Sequence, residues 1–349
     1  MKMKYVSIIF LTVNLLFLGC EVQKDAKKLV EEGQAKYDSG DMEAAMSAYN
    51  KALNVDKKNV SAYYNRGFLK EKLGDLEGAM MDYDQAVEFD AADTSFYISR
   101  NVDPYYYRGL LKKTLGNTEG AMADFNKAIE LNHDDASICY ERGVLKQHLG
   151  DAEGAMADFD KAIELDTTYA SAYYNRAVLR QALKDNLGAM ADFNKAIELD
   201  PFESVAYSNR GWLKQTLGDT QGALNDCNKA VELNPTEDVV YINRGLVRQS
   251  LDDIPGAMTD FNKAIELNPV SAAPYNNRGW LKQTLGDTQG ALNDCDKAIE
   301  LEPTGATPYF NRGFIKYEHK DISGACKDWN KALELGKEEA LSYIKKYCN

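Results

Sequence analysis

Eight arginines in this sequence are each followed, sixteen positions later, by an aspartate: Arg66 with Asp82, Arg108 with Asp124, Arg142 with Asp158, Arg176 with Asp192, Arg210 with Asp226, Arg244 with Asp260, Arg278 with Asp294 and Arg312 with Asp328. A guanidinium and a carboxylate form a two-pronged ion pair when the fold brings them together. Such pairs join packed elements; they do not move protons for a substrate. The rival reading is an exposed cationic strip that also uses Lys112, Lys146 and Lys282, whose stems could pack while their heads reach water. The residues that usually do chemistry are sparse. His133, His148 and His319 show no metal-ligand spacing, and no His–Cys pairing or phosphate loop is evident. No catalytic residue, metal site or cofactor is expected, and the chain is not read as an enzyme.

The pairs keep their spacing because the chain repeats every 34 residues from Ala26, with units 26–59, 60–93, 102–135, 136–169, 170–203, 204–237, 238–271, 272–305 and 306–339. Within a unit, numbered as slots 1 to 34, slot 20 is Ala in all nine, from Ala45 to Ala325, and slot 27 is Ala in all nine, from Ala52 to Ala332. Slot 8 is Gly in eight units and Ala177 in the fifth, and slot 24 carries a filler such as Tyr49, Phe125, Phe193 or Trp329. The arginines occupy slot 7 and the aspartates slot 23. Unit one replaces both partners together, with Glu32 and Ala48.

Each unit reads as two helices. Slots 4, 7, 8 and 11 fall on one face of the first helix. Gly at slot 15 suits a left-handed cap and Asp at slot 16 the N-cap of the second helix, as in Gly150-Asp151 and Gly286-Asp287. Pro201, Pro235, Pro269 and Pro303 end the second helix. Thr94 to Asn101 interrupt the period as an insertion, expected to protrude as a loop with Phe96, Tyr97 and Ile98 near its centre. Residues 340–349 read as a capping helix. Units six and eight are nearly identical over Asn209–Thr236 and Asn277–Thr304, differing only at Asn228/Asp296, Val231/Ile299 and Asn234/Glu302, which argues for duplication of a two-unit block.

A 34-residue period with this small-residue pattern resembles the tetratricopeptide repeat over residues 26–339. The resemblance implies an all-α, right-handed superhelical solenoid of nine helix-turn-helix units, whose first helices line a concave groove that binds peptides or protein surfaces. The sequence departs from the family pattern with Tyr for Trp at slot 4, Arg for Leu at slot 7, and Lys or Arg for Tyr at slot 11. Family geometry places slots 2, 5, 6, 9, 12 and 13 on the groove. The candidate lining is Tyr64, Tyr106, Tyr140 and Tyr174 at slot 5; Asn65, Asn175, Asn209, Asn243, Asn277 and Asn311 at slot 6; Phe68, Trp212, Trp280 and Phe314 at slot 9; and Gln215 and Gln283 at slot 12. The Asn at slot 6 resembles one that holds a peptide backbone in family members that bind C-terminal peptides, but their basic clamp is absent from the matching slots. Part of the aromatic set must serve packing.

The N-terminus has its own pattern. Lys2 and Lys4 precede an apolar run, Tyr5 to Gly19, too short to span a bilayer. Phe17-Leu18-Gly19-Cys20 resembles the lipobox of bacterial lipoproteins, with Phe where Leu is usual. The resemblance implies a signal peptide over 1–19, lipidation (palmitate among the acyl chains) at Cys20, a short tether over 20–25, and attachment to the cell envelope. An ordinary secretory signal is the alternative. Glu21, where Asp would favour retention, points to the outer membrane. Loss of Lys2 and Lys4 takes the formal charge from −13 to −15, which disfavours nucleic acid as a partner.

Five cysteines remain. Cys227 and Cys295 occupy slot 24 two units apart, too distant to bridge, and with Cys139 read as buried thiols. Cys326 and Cys348 lie eleven residues on either side of Lys337, so an antiparallel helix pair turning there sets them at one height. They are a candidate disulfide that would pin the cap; the alternative is two reduced thiols beside a frayed terminus. The function these readings favour is a membrane-anchored protein–protein interaction scaffold or adaptor, with a peptide or protein partner. The alternatives are a glycan-binding envelope lipoprotein and a structural spacer.

Overall fold

The computed structural model describes residues 23–90 and 103–348. The signal, Cys20, Glu21 and the insertion 94–101 lie outside the described residues. Those residues form nineteen helices and no strand. The chain divides between Thr167 and Thr168 into two compact units.

In the first unit α1 covers 23–38, followed by α2 Met42–Val55, α3 Val60–Lys72 and α4 Leu76–Asp90. Then come α5 Pro104–Thr114, α6 Thr118–Leu131, α7 Ala136–His148 and α8 Ala152–Leu165. Residues 23–25, expected in the tether, are helical, because Gln23-Lys24-Asp25 contains no breaker and Ala26 and Val30 are buried one turn apart. The second unit holds α9 Ala170–Ala182, α10 Asn186–Leu199, α11 Ser204–Thr216, α12 Thr220–Leu233 and α13 Asp238–Ser250. It continues with α14 Ile254–Leu267, α15 Ala272–Thr284, α16 Thr288–Leu301, α17 Ala306–Glu318, α18 Ile322–Glu334 and α19 Ala340–Tyr347.

Local sequence sets each boundary. The slot-16 residue caps the second helix: Asp151, Asp219 and Asp287 accept hydrogen bonds from the backbone N–H of Gly154, Gly222 and Gly290. The residue before the cap takes a left-handed conformation. Gly150 and Gly286 do so freely, whereas units five, seven and nine place Lys184, Asp252 and Lys320 there at φ of 62–67°. The second helices α10, α12, α14 and α16 end at Leu199, Leu233, Leu267 and Leu301, two residues before the prolines at slot 32.

Packing follows from residue size. Slot-20 alanines are fully buried, and the slot-24 fillers Tyr49, Phe125, Phe193 and Trp329 are at most 1% exposed. Slot 8 must be small because the filler sits on it: a Cβ at Gly109 would stand 2.8 Å from a Phe125 ring carbon. Within each unit, helices adjacent in sequence pack on one another. In the second unit the first helices also touch in series, α9 with α11, α11 with α13, α13 with α15 and α15 with α17. The result is an all-α solenoid of helix pairs.

Candidate functional site

The ionic series lies inside the helix pairs. In each of units two to nine the slot-7 guanidinium donates Nε and Nη2 to the two oxygens of the slot-23 carboxylate, as Arg210 does to Asp226 at 2.8 and 2.7 Å. The slot-11 cation, one turn further along the same helix, binds the same carboxylate: Lys214 Nζ stands 2.8 Å from Asp226 Oδ2, and Arg248 Nη1 2.9 Å from Asp260 Oδ2. The lysine heads therefore turn onto the carboxylates, where the cationic-strip reading would have them reach out to water. Slots 7 and 11 are four apart on one helical face, so both cations converge on one buried carboxylate. The slot-4 tyrosine packs under the guanidinium, with Arg210 5.5 Å above the Tyr207 ring. The three departures at slots 4, 7 and 11 are one device. The cationic strip is not an open binding surface.

Arg66, Arg142 and Arg278 are held above the ordinary arginine value chiefly by their hydrogen bonds to Asp82, Asp158 and Asp294. These guanidines also reach the preceding repeat, as Arg210 Nη1 does to Asn194 Oδ1 at 2.9 Å. Burial pushes the Cys227 and Cys295 thiols up to about 12.

The face of the first helices differs between the two units. In the first unit it is aromatic and charged. Phe68 packs among Tyr37, Tyr64 and Tyr107, with Lys72 5.2 Å above its ring. Lys113 pairs with Glu141 across successive repeats. Tyr64, a candidate groove residue, is only 7% exposed: it is wedged against Tyr83 and Tyr107 and so belongs to the core. Tyr106, Tyr140 and Tyr174 are half-buried and lean on Phe125, Phe159 and Phe193. The slot-5 rings thus serve packing as much as surface, because slot 5 abuts the slot-24 filler.

In the second unit the same face is almost free of charge. Over α9, α11, α13, α15 and α17, slots 2, 5, 6, 9, 12 and 13 contain one ionisable carboxylate, Glu318, and no cation. Slot 9 presents an apolar row in which Trp212 is 44% exposed. Trp280 packs 5.5 Å from Phe314, which in turn meets Tyr343 of α19.

Amides flank the row and are already engaged. Asn209 Nδ2 donates to Tyr174 Oη, Asn243 Nδ2 to Ser208 Oγ, and Asn311 Nδ2 to Asn276 Oδ1. Each bond joins slot 6 to slot 5 of the preceding repeat. Asn276 Nδ2 donates weakly to Asn277, while Asn65 and Asn175 bond to carbonyls of their own helices. Of the Asn ladder expected to grip a ligand backbone, Asn65, Asn175, Asn209, Asn243 and Asn311 thus each spend an amide proton inside the protein, while Asn277 accepts through its Oδ1. On the other side, Gln215 Nε2 donates to Ser250 Oγ at 2.6 Å and Gln283 Nε2 to Glu318 Oε2 at 2.7 Å, leaving both Oε1 atoms buried without a hydrogen-bond partner. Sequence reasoning missed Ser208, Ser250 and Glu318. Their signal was present: slots 5 and 6, and slots 12 and 13, of successive repeats stand 35 residues apart.

At the C-terminal end, Cys326 and Cys348 form a disulfide with Cα atoms 5.6 Å apart. It holds α19 over Trp329, whose ring also meets Tyr343 and Tyr347. Among the described residues no group of His, Cys, Asp and Glu could hold a metal ion, and no helix is long and apolar enough to cross a membrane.

Paired helices, invariant small residues and a shared face of first helices define a helical-repeat protein. Tetratricopeptide repeat models match residues 60–93, 102–135, 136–169, 170–203, 204–237, 239–271 and 272–304, and a TPR repeat model matches 33–74. The chain belongs to the tetratricopeptide repeat family. A tetratricopeptide repeat protein from Parabacteroides merdae is 23% identical, with 70% of this chain and 94% of that one covered at a TM-score of 0.52. The APC/C hetero-tetramer Cut9-Hcn1 is 15% identical, covering 93% and 76%, with a TM-score of 0.62. Yeast Tom70 is 18% identical, covering 99% and 96%, with a TM-score of 0.50. The comparison with curated proteins gives no match.

Proposed function

We propose that this protein is a lipid-anchored scaffold of the bacterial envelope that binds an extended segment of another protein along the first helices of its second unit. Tetratricopeptide folds typically serve as protein–protein interaction scaffolds. The observation that carries the reading is the uncharged face of α9, α11, α13, α15 and α17, with the Trp212 ring half in solvent on a chain of net charge −13. An apolar row with one exposed tryptophan, bordered by amides, suits a partner that offers apolar side chains and backbone polar groups. The ionic residues are consumed inside the helix pairs, so little charge is left to recruit a charged ligand here. Anchoring rests on the lipobox-like Phe17–Cys20. Multiple acyl chains would hold the chain firmly, at about 0.8 kcal/mol per buried CH2, with outer-membrane sorting favoured by Glu21.

Crosslinking in intact cells followed by mass spectrometry tests the partner. Replacing Trp212 and Trp280 together by Ala abolishes the main crosslink, while changing Lys229 and Lys297 on the opposite helices does not. Equal losses from both pairs would move the binding surface elsewhere. Cys20→Ser releases the protein into the soluble fraction; retention on membranes would refute the anchor.

A further inference from the structure

The near-identity of units six and eight carries into the structure at their glutamines, although Asn209 donates to Tyr174 where Asn277 accepts from Asn276, and Trp212 is more exposed than Trp280. Asn209, Trp212 and Gln215 sit at slots 6, 9 and 12 of α11, and Asn277, Trp280 and Gln283 sit at the same slots of α15. Residues three apart share a helical face, so each trio is contiguous. Each glutamine is clamped in one orientation by the next repeat, through Ser250 or Glu318. Each is left with a buried, unpartnered carbonyl oxygen. No other glutamine among the described residues has that orphan acceptor. An orphaned acceptor costs stability unless a donor reaches it, and here the same orphan occurs at both repeats with tryptophan at slot 9 and not at the repeat between them.

We propose that these trios are two copies of one subsite, and that the partner is an extended, uncharged polypeptide segment carrying the same apolar side chain twice. This rests on the groove reading above and names its ligand class. The spacing follows from the fold. α11 touches α13 and α13 touches α15, and packed helices lie about 8–10 Å apart, so the subsites are roughly 16–20 Å apart. An extended chain rises about 3.3 Å per residue and alternates its side chains between two faces, which sets two apolar side chains that face the same groove about six residues apart. Half-buried Leu246 occupies slot 9 between the tryptophans, so the intervening stretch crosses an aliphatic patch. Backbone N–H groups of the partner supply the donors that Gln215 and Gln283 lack once each glutamine turns its shielded carbonyl outward from Ser250 or Glu318. A polypeptide fits better than a glycan, because aliphatic Val178 and Leu246 interrupt the aromatic residues of the row and the single carboxylate of the face, Glu318, is already bonded to Gln283.

The test displays a library of uncharged twelve-residue peptides to the whole mature protein, and to its Trp212→Ala, Trp280→Ala and doubly substituted forms, each checked for native helicity. Enriched peptides are expected to repeat one apolar residue at a separation of about six. Joining two weak sites raises affinity by about 100-fold or more, so either single substitution, or loss of either apolar residue from the peptide, should weaken binding by at least that factor. Enriched peptides that depend on one tryptophan only, or carry one apolar determinant, overturn the two-subsite proposal while leaving the groove reading in place. Enrichment equal on the native and doubly substituted proteins overturns the groove reading itself. Binding of neutral oligosaccharides that is lost in the same variants overturns the polypeptide class.

Discussion

Arg210 and Asp226, sixteen residues apart, meet as a planar fork, Nε to Oδ2 at 2.8 Å and Nη2 to Oδ1 at 2.7 Å. Asp226 is 5% exposed, and Lys214 closes its other side. Removing one partner of a buried pair leaves charge without compensation, at a cost of about 3–5 kcal/mol. Asp226→Ala strands two cations between α11 and α12 and should destabilise the sixth repeat by that amount. Lys229→Ala, which removes a half-exposed partner of Glu232, should cost roughly 0.5 kcal/mol or less. Urea denaturation followed by hydrogen exchange on α11 and α12 separates the two. Similar midpoints for both variants would show the ionic series to be energetically idle.

This series was legible in the sequence because period and residue type suffice: slots 7 and 23 co-vary across nine repeats, and both change in the first. The role of slot 11 was not legible in the same way. Lys214 has a stem long enough to pack and a head able to reach water, and only the i, i+4 geometry on α11 directs it onto Asp226. Of the groove candidates, Trp212 is exposed, but Tyr64 is core, because a tyrosine ring at slot 5 reaches the slot-24 filler. The amide partners depend on how one repeat is rotated on the next. That angle is a property of packing, which no single repeat encodes.

Cys227 and Cys295 are fully buried, and burial holds their thiols at about 12. The thiolate is the nucleophile, so at pH 8 native protein should resist iodoacetamide at both positions over hours. Unfolding in guanidinium should expose them together with Cys139. Rapid labelling of Cys227 in the native state would show that the sixth repeat opens on that timescale.

Asp103 caps α5, accepting hydrogen bonds from Tyr105 N and Tyr106 N, yet its Oδ2 is buried without a partner. Burial raises its carboxyl from 3.8 to about 6. A raised folded-state value means that the folded protein binds the proton more tightly than the unfolded chain. The contribution of this group is therefore fully present below about 4 and is lost as the pH rises through about 6. Asp103→Asn keeps an N-cap acceptor without the charge. Its melting temperature should exceed that of the native protein at pH 7.5, with the gap narrowing as the pH falls through about 6 and closing below about 4. A gap independent of pH would refute the buried ionisation.

Cys326 and Cys348 close a 22-residue span around the turn between α18 and α19. The helix they pin has only eight residues, too short to persist alone. Its contribution is to cover Trp329, which is fully buried, together with Tyr317 and Phe310. A repeat array needs its last apolar face covered, so stability at this end depends on keeping α19 docked. Restricting a loop of this length in the unfolded chain is worth about 3 kcal/mol. Cys348→Ser, or reduction of the native protein, should speed hydrogen exchange throughout α17 to α19. Exchange in α11 and α13 should stay unchanged, because coupling in a repeat array runs between neighbours. Tryptophan emission should shift to the red as the Trp329 ring gains access to water. Unchanged exchange in α18 after complete reduction would mean that the aromatic contacts of Tyr343 and Tyr347 hold the cap without the crosslink.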